Sequence, residues 1–294
     1  MKRRIEEKTS RTAEMTCSLR AASYYEETPC YRSGDHVATL LLPWFIRYMS
    51  KSGFLRKLFL SQFAPLGVYE YVIARTKYID QVFADAVDQG FEQVLIFGAG
   101  FDSRSIRLLG GDSTVKVFEV DAEVTQKAKL GRLTEVGLRV PDNTTYISID
   151  FNRDDPMESL MANGFQLGKR CLFILEGLLM YLDADAVDNT FHLIHELSGE
   201  GSRVVFDYIY SSVLEHAGRY FGERELQKNV IDAGEPWTFG FEEGRVGDYL
   251  LENGFKIVEE CNTEVLEERY FTSYGGAVVG RVNGTHSIVL AERA

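Results

Sequence analysis

The chain has 294 residues, 45% hydrophobic and 26% charged, an ordinary globular balance that excludes a disordered or fibrous polypeptide. Lys and Arg number 32 against 44 Asp and Glu, a formal net charge of −12, which argues against a broad nucleic-acid footprint built on clustered cations. Cys17, Cys30, Cys171 and Cys261 are scattered without a Cys-x-x-Cys pair, so neither a structural zinc site nor a disulfide framework is expected. Residues 1–8 carry no apolar signal core. The longest apolar stretch, 37–49, is interrupted by Pro43 and Arg47 and is shorter than the roughly 20 residues of a membrane span. The expectation is a soluble cytoplasmic protein with no nucleic-acid or membrane partner and no metal; its oligomeric state is left open.

Residues 1–90 read as mainly helical. The aromatic-rich segments 19–31 and 37–63 predict short helices broken at Pro29, Pro43 and Gly53. Val68, Val72, Ile73, Ile79, Val82, Phe83 and Val87 then recur near the helical period until Gly90. From Gln93 the texture changes. Short apolar runs at 94–97, 115–120, 145–149, 171–175 and 203–208 predict buried parallel strands, with helices between them over 103–109, 122–136, 156–163 and 184–198. The last helix is the clearest: Asp183 is placed to cap it, Val187, Phe191, Ile194 and Leu197 share one side, and Gly199 follows. Beyond Tyr210, segments 212–232 and 246–253 read as helices, 236–244 as loop, and 255–259 and 285–291 as strands, while 265–274 fits no single pattern. This order predicts an α/β fold, a Rossmann-like doubly wound sheet closed by an antiparallel hairpin. The helical segment 1–90 precedes the binding domain, 91–294.

Ligands of open parallel sheets bind beyond the carboxyl ends of the strands, so the residues after each apolar run are the ones to inspect. The first run, 94–97, enters Gly98-Ala99-Gly100, where the backbone can approach a ligand closely, although the same pattern serves as a plain strand-to-helix turn. A dinucleotide fingerprint wants a third glycine at position 103, and Ser103 stands there instead. The loop therefore suits a ligand with ribose and adenine but no pyrophosphate, with S-adenosylmethionine the leading candidate. Glu119 and Asp121 end the second run roughly 20 residues later, where a carboxylate takes the ribose diol. The lesser alternative for Asp121 is to cap the following helix. Asp150-Phe151 ends the third run, an acid and a ring that can frame adenine or simply form a loop. Glu176 ends the fourth inside a strongly apolar segment, a costly position unless it faces a ligand or an arginine.

These segments together, Gly98-Ala99-Gly100-Phe101-Asp102-Ser103-Arg104, Phe118-Glu119-Val120-Asp121, Asp150-Phe151 and Glu176-Gly177-Leu178-Leu179-Met180-Tyr181-Leu182, resemble the leucine carboxyl methyltransferase family and its bacterial relatives. Residues 74–80 and Gly234-Glu235-Pro236-Trp237 also resemble the bacterial branch, and the likeness extends over roughly residues 10–292. The resemblance implies a class I methyltransferase fold and S-adenosylmethionine-dependent O-methylation of a small-molecule acceptor of natural-product type, with S-adenosylhomocysteine as product. It further implies that Arg75 meets the methionine carboxylate, Gly98 the backbone side of the cofactor, Asp121 the ribose, Asp150 and Phe151 the adenine, and Glu176 the methionine amino group. The N-terminal helices become a lid over the acceptor. Only Tyr31 and Asp35 align plausibly with the lid segment of the protein-modifying branch, which weighs against a protein C-terminal carboxylate as acceptor.

Methyl transfer from a sulfonium is an in-line displacement, so alignment and exclusion of water are the main demands. A carboxylate acceptor arrives ionised, whereas a phenol or enol with a pKa of about 10 benefits from a base. His192 and His195 flank the apolar side of a predicted helix and read as structural, and His36 and His216 are the histidines to test as bases. Arg20, Tyr24, Tyr25, Tyr31 and Tyr181 are candidates to line the acceptor pocket, with Tyr181, Arg20 and Tyr24 the candidate catalytic residues and Arg20 suited to grip a carboxylate. Packing is the more ordinary role for such tyrosines. A nicotinamide oxidoreductase, which would want the missing glycine, and a non-catalytic nucleotide-binding protein are the competing classes.

Overall fold

The structure, a computed structural model, describes residues 10–109, 113–149, 154–215, 218–273 and 275–294. Asp150, Phe151 and His216 lie outside the described residues. Five helices come first: α1 (Arg11–Tyr24), α2 (His36–Leu40), α3 (Trp44–Lys51), α4 (Gly53–Phe63) and α5 (Val68–Asp88). Strands and helices then alternate through β1 (Gln93–Phe97), α6 (Arg104–Arg107), β2 (Lys116–Asp121), α7 (Glu123–Glu135), β3 (Thr144–Ser148), α8 (Pro156–Ala162), β4 (Cys171–Leu175), α9 (Ala184–Leu197) and β5 (Arg203–Ile209). The chain finishes with α10 (Glu223–Ala233), α11 (Val246–Glu252), β6 (Phe255–Cys261), α12 (Thr263–Phe271) and β7 (His286–Arg293).

The seven strands form one sheet in the order β3-β2-β1-β4-β5-β7-β6, with β1 to β5 parallel and β7 antiparallel to both its neighbours. The expected hairpin is corrected in one respect. No tight turn joins β6 to β7: α12 and a long loop intervene, and β7 inserts between β5 and β6. Because β7 runs backwards, its first residue, His286, pairs with Ile209 at the carboxyl end of β5. The final strand thus starts at the sheet edge where ligands bind.

Alternation along the strands sends side chains into two cores. On one face Phe118, Val120, Phe173, Leu175 and Phe206 pack with Phe191, Ile194 and Leu197 of α9 and Leu250 of α11. On the other, Val94, Ile96, Ile174, Val205 and Ile288 pack with Val72, Ile73, Ile79 and Phe83 of α5 and Leu19 and Ala22 of α1. The apolar stripe read from 68 to 87 is therefore the cover of a sheet face, so the division at residue 90 separates helices from strands but not one core from another.

Two local expectations change. The helix expected over 212–232 is a 3-10 turn, Ser211–Glu215, and then α10. Gly222 precedes α10 with φ of +75°, and a Cβ there would stand 2.2 Å from the Leu66 carbonyl oxygen, so close approach to another chain segment overrides helical continuity. Most of the undecided segment, residues 265–271, lies in α12, started by Asn262, whose side chain accepts from Val265 N at 3.0 Å. Among the described residues no helix is long and apolar enough to cross a membrane.

Candidate functional site

A cavity of about 420 Å³ opens at the carboxyl edge of the sheet, a size usual for small-ligand pockets. Gly98, Ala99, Gly100, Asp121, Glu176 and Tyr181 line it, together with Arg20 and Arg75 from the N-terminal helices. Strands β1, β2 and β4 deliver the residues at their carboxyl ends to this one edge. Gly98 adopts φ of +59°, and a Cβ on it would stand 3.0 Å from Leu178 Cδ1, so the turn requires glycine.

Asp121 holds this turn in shape. Its Oδ2 accepts from Gly100 N at 2.5 Å and its Oδ1 from Ala122 N at 2.6 Å, which leaves a lone pair on each oxygen. Burial pushes its carboxyl up, against the lowering effect of those two N–H groups. Glu119 is placed differently. Its Oε1 accepts from Ser105 Oγ at 2.8 Å, its Oε2 is taken by Lys129, and it is not among the lining residues. It braces β2 against α7 and α6 and does not face the cavity, a correction to its pairing with Asp121.

Glu176 both lines the cavity and joins a buried lattice of charges. Its Oε2 accepts from Arg104 NH1 at 2.6 Å, and Arg75 Nε lies 3.1 Å from its Oε1, at ion-pair distance but without hydrogen-bond alignment. Arg75 NH1 donates to Asp207 Oδ2 at 2.6 Å, as does Tyr71 Oη at 2.8 Å, and Asp207 Oδ1 accepts from Gly177 N at 2.6 Å. Arg104 also binds Asp102, and shares Asp80 with Arg107. Burial opposes charge on Glu176, yet Arg104 and Arg75 outweigh it and hold its carboxyl well below the usual carboxylate range. The two sequence readings of Glu176, arginine pair and ligand contact, are thus not exclusive.

The candidate catalytic residues separate. Tyr181 lines the cavity, where burial pushes its phenol up against the lowering effect of the nearby Thr12 and Trp237 side chains. Arg20 also lines it, but NH1 donates to Asp35 Oδ2 and NH2 to Phe101 O, both at 2.7 Å. Those bonds anchor α1 to the glycine loop and occupy the fork expected to grip a carboxylate. Tyr24 packs against the rings of Tyr25 and His36 and does not line the cavity. His36 is exposed and not a lining residue, and His192 is exposed beside Glu196.

Several lining residues went unread in the sequence. Glu235 accepts from Ser10 Oγ at 3.0 Å, Arg11 N at 2.9 Å, Thr12 N at 3.3 Å and Thr12 Oγ1 at 2.5 Å, which fastens the start of α1 to the loop before Trp237. His286 is buried, its ring stacked on Tyr71 with centroids 4.3 Å apart and met edge-on by Trp237 at 5.5 Å. Burial pushes its imidazole down to about 3, with Asp207 opposing and Arg75 adding to the fall. Asp207 was open to the argument used for Glu176, a carboxylate inside an apolar run. His286 was signalled by the polar Thr285-His286-Ser287 opening of the last strand.

A sheet of this order with a cavity at its carboxyl edge is the fold of class I, S-adenosylmethionine-dependent methyltransferases. A solved structure described provisionally as a methyltransferase of Thermobifida fusca superposes with a TM-score of 0.57 at 14% identity, covering 95% of this chain and 94% of that one. Within that class, the sequence model of the leucine carboxyl methyltransferase family matches residues 47–195. A Mycolicibacterium smegmatis protein, provisionally described as an S-adenosyl-L-methionine-dependent methyltransferase, is 32% identical over 204 residues, 68% of this chain and 64% of its own length. A Mycobacterium avium protein of the same description is 34% identical over 196 residues, 65% of this chain and 63% of its own. The chain thus spans just under two thirds of the length of these relatives, and it belongs to the leucine carboxyl methyltransferase family.

Proposed function

We propose that the protein is an S-adenosylmethionine-dependent O-methyltransferase acting on a carboxylate or hydroxyl of a small molecule. The observation that carries the reading is the union of Asp121, Glu176 and the Gly98–Gly100 turn in one cavity at the carboxyl edge of the sheet. The residues suit the cofactor. Asp121 keeps two lone pairs for the ribose diol, and Glu176 stays ionised to receive the methionine ammonium group. Arg75 Nε is buried without an aligned acceptor, a vacancy a methionine carboxylate would fill. Asp150 and Phe151 are assigned to the adenine from the resemblance.

When bound, S-adenosylmethionine supplies an electrophilic methyl group. The chain's own contribution is alignment and exclusion of water: α1, fastened by Glu235 and Arg20, forms with the other N-terminal helices the lid over the acceptor. A cavity of this size favours a small acceptor over a folded protein's C-terminus.

Calorimetric titration with S-adenosylmethionine and with NAD tests the reading. The wild type is expected to bind the former and not the latter. Asp121→Ala is expected to lose about a hundredfold or more in affinity, since hydrogen bonds to a charged acceptor contribute about 1.5–3 kcal/mol each. Unchanged affinity in that variant would sink the assignment.

A further inference from the structure

Hydrogen bonds around the loop before β7 fix the tautomer of His286. Asn283 Nδ2 donates to Leu66 O at 3.0 Å and Asn283 Oδ1 accepts from Thr285 N at 3.2 Å, so turning the amide around would set like groups against each other. Oδ1 therefore accepts the 2.6 Å bond from Thr285 Oγ1, which uses the single proton of that hydroxyl. Toward His286 Nδ1, 2.7 Å away, Thr285 Oγ1 is then an acceptor, and the ring carries its proton on Nδ1. Nε2 keeps its lone pair, on a side chain that lines the cavity.

The charges of the lining point the same way. Its carboxylates are Asp102, Asp121, Glu176 and Glu235, and its guanidiniums are Arg20, held by Asp35, and Arg75, held by Asp207 and Glu176. Among the described lining residues no second cation remains to receive an acceptor carboxylate once Arg75 holds that of methionine. A neutral acceptor suits this wall better than an anion.

We propose that His286 Nε2 is the general base of the reaction and that the acceptor is a phenol or enol hydroxyl, not a carboxylate. The assignment rests on the methyltransferase reading above. The acceptor oxygen forms its bond to the methyl carbon as the carbon–sulfur bond breaks with its electron pair left on sulfur. The hydroxyl proton passes to Nε2. The products are a methyl ether, S-adenosylhomocysteine and an imidazolium that later releases its proton to solvent. The net charge within the cavity does not change across the transfer. An oxygen gaining a methyl group becomes far more acidic, so even a weakly basic ring receives its proton. The titratable groups around the ring are Tyr71 and Arg75 of α5 and Asp207 of β5, and Tyr181, Glu176 and Glu235 line the same cavity.

Two measurements test this. Nitrogen NMR of histidine-labelled protein is expected to show His286 neutral and protonated on Nδ1 at neutral pH; a proton on Nε2 overturns the proposal. Methyl transfer from labelled S-adenosylmethionine is then followed across unactivated phenols from para-cresol to naphthol, para-nitrophenol, and carboxylic acids from benzoate to decanoate. The wild type is expected to methylate phenols. His286→Phe, which keeps a ring against Tyr71, should lose roughly a hundredfold or more in kcat/KM with unactivated phenols. It should lose far less with para-nitrophenol, already largely ionised in mildly alkaline buffer. Turnover of carboxylic acids alone, no turnover of any phenol, or equal losses for both kinds of phenol overturns the assignment. Failure of S-adenosylmethionine to bind in calorimetry would instead remove the methyltransferase reading, and the NMR tautomer would stand apart from it.

Discussion

Around Glu176 the cavity rests on a buried lattice of charges in which Arg75 and Arg104 meet Asp80, Asp102, Asp207 and Glu176. Around His286 it is walled by the rings of Tyr71 and Trp237, and Tyr181, Met180, Leu226 and Val230 line the same cavity. The first arrangement holds each charge in place through the others. Such a lattice contributes positioning more than net stability, because desolvation cancels much of the attraction, yet removing one member strands the rest. The second relies on packing, which tolerates change in the shape of what it holds. Substitution is therefore expected to cost more in the charged part than in the ring-walled part.

The largest expected effect tests that difference at Arg104. Arg104→Met leaves Asp80, Asp102 and Glu176 short of a partner and should cost about 3–5 kcal/mol in denaturant unfolding, the usual penalty of an orphaned buried charge. A loss below about 1 kcal/mol would break the contrast.

A smaller effect separates the two regions by pH. His286 titrates near 3 in the folded protein and at about 6.5 when unfolded, so between these values the unfolded chain binds a proton that the folded one does not. Stability is then complete above about 6.5 and falls as pH drops, by at most about 1.4 kcal/mol per unit. Glu176, lowered by its arginines, contributes stability that begins to fall only below about 4.3, its unfolded value. The wild-type curve minus that of His286→Phe should slope between pH 6 and 5, while the variant's own curve steepens only below that range. Coincident curves would contradict the burial of a neutral ring.

The smallest effect sharpens the account of the lid. Glu235→Gln keeps one acceptor oxygen but loses the charge at the start of α1, and should cost about 1 kcal/mol, as the loss of a helix cap does. Amide exchange at Arg11 and Thr12 should quicken by roughly fivefold while the sheet is unaffected. Uniform quickening across the protein would mean that Glu235 supports the whole fold and not the lid.

The difference between the two regions also decides how much of them was legible in the sequence. Strands β1, β2, β4 and β5 were readable as short apolar runs, and the ends of β1, β2 and β4 carry Gly98, Asp121 and Glu176, which line the cavity. Glu119 was misread because alternation along β2 gives the direction of a side chain but not who waits there, and Lys129 of α7 arrives first. The ring-walled part was far less legible. Its residues come from α1, α5, α10, the 234–238 loop and the start of β7, segments far apart in the chain that only the sheet order brings together. His286 in particular reaches the site because β7, antiparallel as expected, inserts beside β5, and nothing near it in sequence states that placement. Gly222 likewise looked like part of a helix because the Leu66 carbonyl that forbids a side chain there lies far away in the chain.

The central claim is that the charged part of the cavity is the fixed cofactor site, and a crystal structure with S-adenosylhomocysteine tests it most directly. Both ribose hydroxyls are expected on Asp121, the amino group on Glu176 and the carboxylate on Arg75, with the sulfur turned toward the wall that holds His286. A ribose bound elsewhere, with Asp121 still engaged only by Gly100 and Ala122, would contradict it.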